Sequence, residues 1–169
     1  DKKTGLYKGL FSREDKTRDD LMALYREVVK QFPFVIMEDP LDEDDFEGHA
    51  ILTRELGIQV AGDDLFTTNP QRLKQGIEMG AANCVLLKVN QVGSLTEAFD
   101  MVDLAYRSGY AVMPCNSRGE GADIADYAVG LKTGHMREGG LDDATTRLLE
   151  IEAELGSRAT FLGKKGFKP

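Results

Sequence analysis

Between Asp19 and Gln31, apolar residues fall at Leu21, Met22, Leu24, Tyr25, Val28 and Val29. That spacing predicts an amphipathic helix. Pro33 ends it, because proline cannot continue the helical hydrogen bonding. The pattern then changes. Phe34-Val35-Ile36-Met37 is a continuous apolar run that stops at Glu38-Asp39-Pro40, and it reads as a buried strand ending in acid. The unit recurs along the chain. A helix is expected over Phe46–Leu56 with Gly57 as its cap, then a strand over Ile58–Ala61 ending in Gly62-Asp63-Asp64. Asn69-Pro70 opens a helix over Gln71–Met79, closed by Gly80. Ala82–Val89 is the strongest strand, and it carries Lys88 near its end.

The second half of the chain keeps this rhythm. Ser94 caps a helix that runs to Arg107, Tyr110–Met113 is a strand, and Asp123–Leu131 is a helix. His135-Met136-Arg137 reads as a last short strand, and Thr146–Leu155 as a closing helix. Continuously apolar strands alternating with helices mean a parallel sheet covered by helices, an α/β fold. Right-handed crossovers allow an open doubly wound sheet or a (β/α)8 barrel. Five units are too few to close an eight-stranded barrel. No GxGxxG follows the first strand, so a dinucleotide site has no support.

Composition narrows the classes. The chain has 169 residues and a net charge of -8. An acidic surface repels phosphate backbones, which argues against a nucleic-acid partner. No run approaches the roughly 20 apolar residues of a membrane span. The two cysteines, Cys84 and Cys115, sit inside apolar runs and read as buried free thiols of a reducing compartment. His49 and His135 are too few and too far apart for a zinc site. His49 is expected on a helix surface, and His135 in a structural role.

Chemistry is expected where strands end in charge: Glu38 with Asp39, Asp63 with Asp64, and Lys88. Charges placed straight after buried runs are costly unless paired or bound to an ion. Carboxylates are hard oxygen ligands suited to Mg2+. A lysine beside bound cations loses basicity and can take a proton from carbon near neutral pH. A structural ion pair between Lys88 and Glu38 or Asp63 is the alternative.

Longer motifs add a family. Phe34–Phe46 (FVIMEDPLDEDDF), Gly62–Arg72 (GDDLFTTNPQR) and Val85–Gly93 (VLLKVNQVG) resemble, in order and spacing, segments of the enolases. Ile124–Gly134 and Leu148–Gly156 extend the resemblance over nearly the whole chain. It implies parallel (β/α) units forming the C-terminal part of an enolase-type (β/α)8 barrel, with the first barrel strands and the small N-terminal domain outside residues 1–169. It implies Mg2+ as cofactor, with Glu38 and Asp63 as two of its three protein ligands. Lys88 would be the base acting on 2-phosphoglycerate, with Gln91 beside it and Asp64 behind the metal ligands. The third metal carboxylate and the acid glutamates belong to earlier strands of the family barrel. The substrate would be a small phosphorylated carboxylic acid, in a cytoplasmic enzyme that is a homodimer at full length.

Two departures stand out. Where enolases carry Ser-His-Arg-Ser-Gly-Glu, this chain has Cys115-Asn116-Ser117-Arg118-Gly119-Glu120. Asn116 falls at the histidine and Arg118 one place late, with Ser117 between them as phosphate-side residues. Arg137 takes the place of the family lysine that binds the substrate carboxylate. An amide cannot titrate as an imidazole does, and arginine offers a fork that lysine lacks. The expected activity is Mg2+-dependent dehydration of 2-phosphoglycerate. The alternatives are a paralogue acting on a phosphonate or carboxyphosphonate analogue, or a non-catalytic enolase-like binding protein.

Overall fold

The structure, a computed structural model, describes residues 1–9, 12–117, 119–138 and 140–167. Its elements in order are α1 (Arg18–Gln31), β1 (Ile36–Glu38), α2 (Phe46–Leu56), β2 (Gln59–Gly62), α3 (Pro70–Met79) and β3 (Cys84–Leu87). The short α4 (Val89–Val92), α5 (Leu95–Arg107), β4 (Ala111–Pro114), α6 (Asp123–Gly130) and α7 (Asp143–Leu155) follow. Among the described residues the strands form one parallel sheet in the order β1-β2-β3-β4. None of the described helices is long and apolar enough to cross a membrane.

Local chemistry accounts for most element ends. Thr17 and Asp20 form a reciprocal capping box at α1. Asp45 caps α2 and also takes a forked contact from Arg18, at 2.6 and 2.9 Å. Asn69 and Ser94 cap α3 and α5. Gly57 and Gly80 close their helices with left-handed backbone, as helix ends require.

Four expectations shift by more than one residue. β1 begins at Ile36 and takes in Glu38, while Phe34 and Val35 remain 41% and 37% exposed. β1 is the edge of the described sheet, so a run read as fully buried has a neighbouring strand on one side alone. β3 ends at Leu87, because the residues after Lys88 coil into α4. α7 begins at Asp143, where the Asp142 carboxylate accepts from the Ala144 and Thr145 amides. The expected strand over His135–Arg137 is a single parallel bridge from Arg137 to Cys115.

Alternation along the strands sorts side chains to two faces. Val60, Val85, Leu87 and Val112 pack outward into the core shared with the helices. Ala61, Cys84, Leu86, Ala111, Met113 and Cys115 face inward as a second cluster, with Ile36 against it. Both cysteines are free and buried.

Phe66 anchors the outer core. Its ring is fully buried, 6.3 Å from the Phe46 ring and 6.2 Å from that of Tyr110. It fits because Gly62 and Gly76 lack side chains. A Cβ at Gly76 would lie 2.7 Å from Phe66 Cζ and 3.3 Å from the Ala81 carbonyl oxygen. Gly76→Ala is therefore expected to destabilise the fold by about 1–3 kcal/mol, despite alanine's better helix propensity. Urea unfolding of the two proteins side by side measures this, and a more stable variant would show that the ring moves aside freely.

Candidate active site

The inward face continues past the strand ends. Glu38 lies two residues beyond Ile36, Asp63 two beyond Ala61, and Lys88 two beyond Leu86. Period-two alternation therefore aims all three the same way from three adjacent strands. In parallel barrels this C-terminal end is where active sites sit.

The contacts are direct. Lys88, 2% exposed, donates from its ammonium to Asp63 Oδ2. Gln91 Nε2 donates to Asp63 Oδ1 at 3.1 Å. The Thr68 hydroxyl donates to Gln91 Oε1 at 2.7 Å and accepts from the Lys88 amide at 3.0 Å. Thr68 thus ties the base candidate's backbone to the amide that orients Asp63. Thr67 and Thr68 hold left-handed backbone, with φ of 49° and 53°, which is uncommon for β-branched residues. Such strain persists where surrounding contacts enforce it, and it gathers at functional sites.

Arg137 reaches in from beyond β4. Its Nη1 donates to Glu38 Oε1 and lies 3.7 Å from Asp63 Oδ2. Its backbone amide donates to the Pro114 carbonyl at 2.9 Å, which fixes its place beside β4. A cavity of about 280 Å³ opens here, bounded by Ile36, Glu38, Met113, His135, Arg137 and Phe167. A larger groove of about 440 Å³ lies along α7, but its wall is apolar apart from Glu152 and Thr160. It lacks the convergent polar groups a catalytic site needs.

Glu38, Asp39 and Asp63 offer carboxylate oxygens that all lie within 4.8 Å of one another. Three hard oxygen donors this close suit a divalent cation. Burial pushes the Glu38 carboxyl above its usual range, against the pull of the Arg137 guanidinium. Burial also raises Asp39, against three backbone amides that favour its charge. Those amides belong to Asp63, Asp64 and Leu65, at 3.0, 2.8 and 3.4 Å. Asp39 therefore works as the clasp that holds the loop after β2, which leaves Glu38 and Asp63 as the better ligands. Its φ of 40° is one that aspartate tolerates. Sequence reasoning gave Asp39 no separate role. The charged pair at the end of β1 was the available signal, but a clasp on a loop 24 residues away has no local pattern.

The residues expected on the phosphate side lie differently. The Asn116 side chain donates to Asp142 Oδ2 at 2.8 Å and accepts from the Gly121 amide at 3.2 Å. It thereby ties the loop after β4 to the start of α7. Ser117 is exposed on that loop, Asp64 is exposed beyond β2, and Arg118 lies outside the described residues. Contacts thus bring Glu38, Asp63, Lys88, Gln91 and Arg137 together, while Asn116 joins them through its backbone bond to the Arg137 carbonyl.

One expectation is corrected here. His49 is fully buried on α2 rather than on its surface. Its helix packs between α1, α3 and β2, so the histidine face has no solvent side. Nδ1 donates to the Asp45 carbonyl at 2.8 Å, while Nε2 has no partner among the described residues. Burial depresses its pKa below the ordinary 6.5. The folded chain then binds fewer protons than the unfolded one. Stability present above pH 6.5 is lost as pH falls from there toward the depressed value. The slope from one such group is at most about 1.4 kcal/mol per pH unit. Denaturant midpoints between pH 7 and 5 should drop more for the natural chain than for His49→Phe, and equal drops would remove His49 as the cause. His135 is half-buried, bonds Gln59 at 2.8 Å and packs tilted against the Phe167 ring, with centroids 4.8 Å apart, a structural role.

The family model described as "Enolase, C-terminal TIM barrel domain" matches residues 8–169. An enolase of Thermococcus gammatolerans is 45% identical over 178 aligned positions, covering 100% of this chain and 41% of the relative. An enolase of Methanococcus aeolicus is 49% identical, covering 82% of this chain and 34% of the relative. An enolase of Methanopyrus kandleri is 48% identical, with coverages of 89% and 38%. The chain thus spans about two fifths of the length of these relatives.

Proposed function

Because this chain belongs to the enolase family, matching the model of its C-terminal TIM-barrel domain, we propose that it supplies the base and metal ligands of an enzyme that dehydrates 2-phosphoglycerate to phosphoenolpyruvate. The observation that carries this reading is the contact set among Asp63, Lys88 and Gln91, with a Glu38 carboxylate oxygen within 4.8 Å of one of Asp63, at the ends of three adjacent strands.

Lys88 is the general base, taking the proton from the carbon beside the substrate carboxylate. Its burial excludes water, Asp63 fixes the direction of its side-chain nitrogen, and that nitrogen takes the proton as the neutral amine. Gln91 and Thr68 in turn fix Asp63 and the Lys88 backbone. Glu38 and Asp63 would hold Mg2+, which when bound stabilises negative charge growing on the substrate carboxylate. Arg137 meets that carboxylate with a bidentate fork. Arg118, Ser117 and Asn116 serve the phosphate side. The same family reading carries a cytoplasmic homodimer as the state of the full-length protein.

A second reading has an observation of its own. Asn116, where the family has a histidine, is held by Asp142 and Gly121 and carries no titratable group. With Arg137 in the lysine's place, this favours an altered acid, such as a phosphonate or carboxyphosphonate analogue of phosphoenolpyruvate.

Turnover of 2-phosphoglycerate by the intact protein with Mg2+, followed as phosphoenolpyruvate formed, separates the two. Turnover supports the first reading. No turnover, with Mg2+ binding retained, transfers the search to the phosphonates.

A further inference from the structure

Resting on the assignment of Glu38 and Asp63 as metal ligands, we propose that Arg137 is a tethered competitor of the metal, which sets how tightly the protein binds a divalent cation. One guanidinium nitrogen, Nη1, donates to Glu38 Oε1 and lies 3.7 Å from Asp63 Oδ2. It therefore stands between the two carboxylates that would hold the metal. Lys88 meets the same Asp63 oxygen. The chain's own two cations thus balance the carboxylate pair.

A guanidinium cannot stay there beside a bound dication. Magnesium sits about 2.0–2.1 Å from its oxygens, and two like charges within a few ångströms repel strongly inside a protein. Metal binding must push the Arg137 side chain off Glu38. Lys88 is buried and has little room to leave, whereas the Arg137 side chain is 45% exposed and can swing off Glu38 into the adjoining cavity, where it would meet the substrate carboxylate. The backbone bond from Arg137 to Pro114 anchors its main chain, so the swing needs only the side chain to move.

The size of the effect is bounded by what the ion pair is worth. Glu38 is 27% exposed, so solvent screens the pair and the benefit of removing it is modest. Arg137→Gln should bind Mg2+ or Mn2+ about fivefold more tightly than the natural chain. Arg137→Lys keeps the charge but loses the planar fork, and should fall between the two.

The metal-free protein should respond in the opposite direction. Without the guanidinium, Glu38 and Asp63 lose a neutralising partner, so Arg137→Gln should melt at a lower temperature than the natural chain. Saturating Mg2+ should narrow or reverse that gap. A merely structural arginine would not give this pairing of tighter metal with a weaker metal-free fold.

Titration calorimetry with Mg2+, and Mn2+ binding read by electron spin resonance, on the intact natural protein, Arg137→Gln and Arg137→Lys test this. Tighter binding in both variants, ordered as above, is the expected result. Equal or weaker binding in both, with the natural protein still binding metal, overturns the role of Arg137. Metal binding by none of the three, with all folded by circular dichroism, overturns the ligand assignment beneath it.

Discussion

Lys88→Ala should lower turnover of 2-phosphoglycerate by about 10³-fold or more, without weakening Mg2+ binding. General-base catalysis by a positioned side chain contributes roughly 10²–10⁴ in rate. This lysine is 2% exposed, so bulk water is a poor substitute for it. The deletion removes one cation from beside Asp63, but Gln91 still donates to that carboxylate and Arg137 still lies 3.7 Å away. Bound Mg2+ would replace the lost charge, so the fold should survive in its presence. Coupled turnover, metal titration and thermal melting, read together, settle the case. A variant that keeps a tenth of the natural rate while folded would end the assignment of Lys88 as the base. A rate loss matched by an equal loss of metal affinity would point to a structural ion pair.

Asp63→Asn is expected to weaken Mg2+ binding by about 100-fold or more, and to destabilise the metal-free fold. The asparagine keeps the shape and loses the charge that a hard cation requires. Asp63 also accepts from Gln91 and Lys88, and Lys88 is almost wholly buried. Removing one partner of a buried pair leaves the other charge uncompensated, which costs about 3–5 kcal/mol. The double variant Lys88→Met with Asp63→Asn should regain part of that loss, since no charge is then stranded. Denaturant unfolding of the four proteins without metal gives the coupling energy. A double variant as unstable as the sum of the singles would show that the two residues act independently. Unchanged metal affinity in Asp63→Asn would remove Asp63 from the ligand set.

These two residues differ in how readable they were. Asp63 and Lys88 follow mainly apolar runs that read as buried strands, and charge at such a place already implies a partner or an ion. Thr17, Asn69, Ser94, Gly57 and Gly80 announce their helix ends through short-range hydrogen bonds and backbone freedom. These are local effects that the neighbouring residues alone determine. Arg137 was legible as a cation near the last strand, but its attachment to Glu38 was not. The two stand 99 positions apart, and no local rule links them.

The hydrophobic rhythm by itself determined the α/β class, the parallel sheet and the strand ends at which charge collects. Its physical reason is that strands buried on both faces must be apolar along their whole length, while helices need one apolar stripe. Three things were left to the tertiary structure. The neighbours of α2 turned a polar histidine into a buried one at position 49. The approach of the loop after β2 made Asp39 a clasp for three amides. The convergence of four strand ends placed Arg137 between Glu38 and Asp63. Each depends on which distant segment arrives alongside, and burial and electrostatics act on that arrangement rather than on the order of residues.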